Sequence, residues 1–139
     1  MATSWEPALS VGVRVIDDQH KQLFAQLDDL LDALRSNRGK EKAGEVLKFL
    51  GDYVVKHFGA EEMLMRRGAY PGAPAHFAQH RTFLETLRAL VAEFEAGGPS
   101  ASLALKMTSQ VGDWLRNHIR TTDLALAMFL REQRRPGLR

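Results

Sequence analysis

Apolar residues recur along this chain at i, i+3, i+4 and i+7, and no stretch alternates strictly, so the pattern predicts helices and no strands. Four helical segments emerge. The first runs from about 17 to 37 with Leu23, Phe24, Leu27, Leu31 and Leu34 on one stripe, Asp17 placed to cap it and Asn37, Arg38 and Gly39 to end it. The second runs from about 40 to 67 with Val46, Leu50, Tyr53, Val54 and Leu64 inward and Gly68 placed to terminate it. Gly44, Gly51 and Gly59 each weaken it by up to about 1 kcal/mol relative to alanine, so packing must hold it together. Tyr70-Pro71-Gly72 makes a turn before Pro74, which suits a first helical position. The third helix, about 74 to 96, presents Phe83, Leu84, Leu87, Val91 and Phe94. Gly97-Gly98-Pro99 breaks the pattern, and Ser100 or Ser102 can cap a fourth helix over about 100 to 121, which carries Leu103, Met107, Val111, Trp114 and Leu115.

Amphipathic helices of this length joined by short connections predict an all-α fold, an up-down-up-down antiparallel four-helix bundle. Residues 1–16 then form an N-terminal arm, with Trp5 laid against the bundle, and residues 122–139 a short C-terminal helix or tail. A chain of 139 residues makes one domain over its whole length. Composition narrows the function. The net charge is only +2, and Arg131, Arg134, Arg135 and Arg139 carry no interleaved aromatics, so they are expected to be a solvated tail and not a nucleic-acid or membrane patch. The longest apolar run, 124–130, is far short of the ~20 residues a membrane helix needs. Nothing in Met1 to His20 resembles a signal peptide, so a cytoplasmic location is expected. There is no cysteine, which excludes disulfides, iron–sulfur clusters and thiolate zinc, and leaves nitrogen and oxygen as the only metal ligands.

The five histidines, His20, His57, His76, His80 and His118, all fall on or beside an apolar stripe. Buried imidazole must be paired or coordinated, because an unpartnered polar group in a core costs several kcal/mol. Residues four apart on a helix share a side, so His57 with Glu61 and His76 with His80 can each serve one metal or two adjacent ones. His20 and His118 add a donor from the first and fourth helices. Asp123 lies five after His118, about 140° round a regular helix. A single π-type widening would bring it back to the ligand side. Either spacing alone arises easily by chance; the conjunction uses all five histidines and leaves none over.

Those residues resemble a known family. Ile16-Asp17-Asp18-Gln19-His20, His57-Phe58-Gly59-Ala60-Glu61-Glu62, Tyr70-Pro71 leading to His76 and His80, and His118-Ile119 with Asp123 are similar to the motifs of bacterial single-domain hemerythrins over about Trp5 to Asp123. The resemblance implies two non-haem irons that bind dioxygen reversibly, for carriage, storage or delivery. It assigns His76, His80 and His118 to one iron and His20 and His57 to the other, with Glu61, Asp123 and a solvent-derived oxygen bridging, and so leaves one position open for dioxygen. The missing Glu-x-x-His motif speaks against a ferritin-like scheme. Leu23, Phe58 and Trp114 are expected to wall a dry oxygen pocket, with Thr121 a departure from the aliphatic residue the family often has there. No general acid, base or nucleophile is left over, which favours a binding protein over a di-iron oxidase or peroxidase. A sensor of oxygen, redox state or nitric oxide acting through a partner is the other class, but it would need an output module. A monomer is expected, with dioxygen as its ligand and no protein partner identifiable.

Overall fold

Leu9 and Val11 are almost wholly buried although they precede the first helix, and Asp17 explains it. In the computed structural model, which describes residues 5–134, helix α1 spans Arg14–Arg35 and so begins ahead of the cap expected at Asp17. Asp17 lies inside the first turn. Its carboxylate accepts hydrogen bonds from Ser10 Oγ at 2.6 Å and the Val11 amide at 2.9 Å. Donors from the preceding segment have replaced the helix's own amides as partners, which draws the short 3₁₀ turn Pro7–Leu9 onto the core. Trp5 packs partly buried against that core, with the Lys21 ammonium 4.6 Å from its ring centroid.

Helix α2 spans Gly39–Gly68, α3 Ala73–Gly97 and α4 Ala101–His118. A π-helical turn, Ile119–Asp123, follows α4 without interruption and runs directly into α5, Leu124–Arg134. No strand occurs among the described residues, and none of their helices is long and apolar enough to cross a membrane. Helix α1 packs on α2 and α4, α3 also packs on both, and α2 touches α4 across the core, with α5 resting on α2. Leu23, Phe24, Leu27, Leu30, Leu50, Phe83, Leu103 and Met107 fill the interior.

The end of α2 differs from expectation, and the start of α4 selects one of the two expected caps. The left-handed residue that closes α2 is Ala69, at φ 51°, with the Tyr70 amide bonded to the Met65 carbonyl at 3.0 Å. Gly68 serves packing instead, because a Cβ there would stand 3.2 Å from the Phe129 ring of α5. At the start of α4 it is Ser100 whose hydroxyl accepts the Leu103 amide, at 3.0 Å. The segment from 122 on, expected as a short C-terminal helix or tail, is helical through Arg134. Arg131 lies against Gly12, where any Cβ would collide with its guanidinium. Arg135 and Arg139 fall outside the described residues.

Candidate metal centre

Each helix of the bundle delivers part of one buried cluster. α1 brings His20, α2 His57 and Glu61, α3 His76 and His80, α4 His118, and the π turn Asp123. All seven are at most 2% exposed. The i, i+4 spacings on α2 and α3 act as their periodicity requires. The turn after His118 has widened to the i→i+5 pattern, which returns Asp123 to the side of His118, with Oδ1 3.0 Å from His118 Nε2.

The carboxylates divide the cluster into two groups. Glu61 Oε1 lies 3.2 Å from His76 Nε2 and 3.0 Å from His80 Nε2, while Glu61 Oε2 lies 3.5 Å from His57 Nε2. Asp123 repeats the division: Oδ1 faces His76 and His118 at 3.2 and 3.0 Å, and Oδ2 faces His20 at 2.9 Å. Two donor sets result, Glu61 with His76, His80 and His118, and Asp123 and Glu61 with His20 and His57. In each set one donor atom per residue lies within 4.8 Å of every other, a spacing that could hold a metal ion.

These atoms fit a cation better than they fit one another. His20 Nε2 and Asp123 Oδ2 are 2.9 Å apart, yet neither is satisfied by a hydrogen bond. His57 Nε2, His118 Nε2, Glu61 Oε2 and Asp123 Oδ1 are buried and unpartnered as well. Leaving so many polar atoms unsatisfied would cost several kcal/mol, and coordination removes that cost.

Protonation divides the cluster, with His57, His80 and Asp123 held ready to ligate and Glu61 and His118 held toward their protonated forms. Burial pushes His57 down to about 3 and His80 to about 2, with neighbouring imidazoles adding to the effect, so both keep their lone pairs free at neutral pH. Burial and then Asp123 push Glu61 well up. Burial would raise Asp123 too, but the imidazoles of His118, His20 and His76 outweigh it and hold it below the usual carboxylate range. Burial lowers His118, and the two carboxylates facing it more than reverse that.

The sequence profile of the Hemerythrin HHE cation binding domain matches residues 11–130. The chain belongs to the hemerythrin family. A bacteriohemerythrin of Stenotrophomonas maltophilia is 33% identical over 123 residues, 88% of this chain and 78% of its own length. One from Methylococcus capsulatus is 36% identical over 121 residues, 86% of this chain and 90% of its own. A solved wild-type hemerythrin superposes with a TM-score of 0.73 at 29% identity, covering 91% of this chain and 96% of its own.

Around the cluster, the outer histidine nitrogens meet residues to which the sequence motifs gave no role. His57 Nδ1 is 2.7 Å from Gln19 Oε1, His118 Nδ1 is 2.7 Å from Gln79 Oε1, and His80 Nδ1 is 3.0 Å from Glu62 Oε2. Thr122 also donates to Gln79 Oε1, at 2.9 Å, which ties the π turn to α3. Gln19, Glu62 and Gln79 each adjoin a cluster residue in the chain, the one signal that could have found them. Of the expected pocket residues, Leu23 is fully buried. Phe58 stacks on His80 with centroids 3.8 Å apart, and Trp114 stacks on His118 at 4.3 Å, so both cover the three-histidine group. Thr121 is not brought to the cluster. It is exposed, and its hydroxyl donates to the Asn117 carbonyl at 2.7 Å, because the wide turn that carries Asp123 inward leaves Thr121 outside.

Proposed function

We propose that this chain binds dioxygen reversibly at a non-haem di-iron centre, as an oxygen carrier, store or delivery protein and not as an enzyme. In this reading His76, His80 and His118 would hold one iron and His20 and His57 the other, with Glu61 and Asp123 shared between the two groups. The supporting observation is the way each carboxylate sends one oxygen to each histidine group. Imidazole and carboxylate donors suit iron, and an iron pair supplies the electrons and the binding position for dioxygen.

The chain's own residues account for the rest. The His20 and His57 side has one nitrogen fewer, so it offers the room in which a diatomic ligand fits. Helical packing on every side excludes water, since no residue of the cluster is more than 2% exposed, and exclusion of water and protons is what keeps binding reversible. Leu23, three residues after His20, is our candidate for a wall of that pocket. Phe58 and Trp114 instead hold the rings of His80 and His118 in place. All titratable groups in the cluster belong to the ligand set, which leaves none there to act as a general acid or base. The architecture belongs to the same reading: one domain, with connections at 36–38, 69–72 and 98–100 short enough to set neighbouring helices antiparallel, up-down-up-down.

Iron loading tests the proposal directly. Two irons per chain are expected, with a visible spectrum that appears under oxygen and disappears on repeated argon purging. A single iron, or oxygen consumed without return of the starting spectrum, would overturn it.

A further inference from the structure

Only three of the five outer histidine nitrogens meet a polar side chain, and the three partners are not alike. Gln19 and Gln79 are neutral carboxamides, whereas Glu62 is a carboxylate. The outer nitrogens of His20 and His76 have no partner among the described residues. A carboxylate can only accept, so His80 must donate from Nδ1, and its Nε2 lone pair then points inward, where Glu61 Oε1 lies 3.0 Å away. Phe58, parallel to within 5° of the His80 ring, fixes the plane in which that donation runs.

Hydrogen bonds to an ionised acceptor are roughly twice as strong as neutral ones, and an acceptor of this kind raises the basicity of the imidazole it holds. Glu62 follows Glu61 directly in α2. Where Glu61 turns into the core, Glu62 emerges at the edge facing α3, with its side chain 28% exposed. Solvent weakens its field at that depth without removing it.

Resting on the di-iron reading, we propose that Glu62 is a positioning residue that makes the three-histidine site electronically distinct. Its carboxylate fixes the His80 tautomer and strengthens His80 as a donor, so that the iron held with His76 and His118 is the one biased toward higher charge. A merely structural role, stitching α2 to α3, predicts something different. Glu62→Gln keeps the acceptor oxygen and the volume and loses only the charge, so a stitch would survive it.

The experiment compares wild type, Glu62→Gln, Glu62→Ala and Gln79→Glu, each loaded with iron and titrated for its reduction potentials. Glu62→Gln should bind two irons, melt with the wild type and show one potential shifted upward. Gln79→Glu, which puts a carboxylate on His118 of the same group, should shift it downward. Nitrogen-15 NMR of the metal-free protein should show His80 protonated at Nδ1 in wild type, with that signal displaced in Glu62→Ala. If Glu62→Gln and Glu62→Ala hold two irons at unaltered potentials, the proposal is overturned. Failure of the wild type to bind two irons would instead remove the di-iron reading on which it stands.

Discussion

Asp123 stands five residues after His118, yet its Oδ1 lies 3.0 Å from His118 Nε2. The π turn between them carries the relationship. It also decides which neighbouring side chains face the cluster and which face water.

Thr121 faces water, with its hydroxyl spent on the Asn117 carbonyl. Thr121→Leu should therefore leave the autoxidation rate of the oxygenated protein at the wild-type value, measured by the decay of its visible spectrum. A several-fold slower decay would mean that the side chain reaches the pocket after all.

Glu61 should show opposite effects with and without metal. Its charge is disfavoured by burial and by Asp123. In the metal-free protein Glu61→Gln should be stabilising by about 1 kcal/mol at neutral pH, since folding no longer forces a carboxylate that is ionised in the unfolded chain to take up a proton, and the shape is kept. The same variant should fail to retain two irons. Thermal melts with chelator present and iron analysis after loading check the two halves.

Acid should destabilise the metal-free fold. His57 at about 3 and His80 at about 2 lie below the ordinary 6.5, so between those values and 6.5 the unfolded chain binds more protons, and stability falls as pH falls through that window. Asp123, held low, adds to the loss as pH drops below its ordinary value. His118, held high, has a contribution that is complete below 6.5 and is lost only above it, so it leaves the slope in this window unchanged. Glu61, held high, opposes the loss down to about 4.5, because the folded chain keeps a proton that the unfolded chain releases. Two histidines outweigh one carboxyl group. Melting temperature should decline steadily from pH 6.5 to 4, and His57→Gln should flatten the slope.

Gly59 is a separable defect. It sits inside α2 between His57 and Glu61, and a Cβ there would meet nothing within 4 Å. Gly59→Ala should raise stability by about 0.5–1 kcal/mol, read as a higher denaturant midpoint, with iron content unchanged. Gly44 is different, since a Cβ would press on Phe94 at 3.1 Å. Nothing in the structure explains Gly51.

The cluster was legible because helical periodicity carries side-chain direction: spacings of four place His57 with Glu61 and His76 with His80 before any coordinates exist. The π turn was legible for the same reason, as the deviation needed to admit Asp123. What depends on the approach of one helix to another was not. Gln19, Glu62 and Gln79 gain their roles from the rotation of an imidazole on a different helix, and Asp17 looks like a cap until Ser10 and Val11 reach it through the chain that precedes α1. Gly68 matches a terminator by type, and only the Phe129 ring against it reveals its use.

The backbone from α4 through the π turn to α5 is one uninterrupted helical rod. Any sideways push on α5, at Phe129 against Gly68, has no loop to absorb it before it arrives at Asp123. Helix α5 is thus a lever arm whose fulcrum is a residue of the buried cluster.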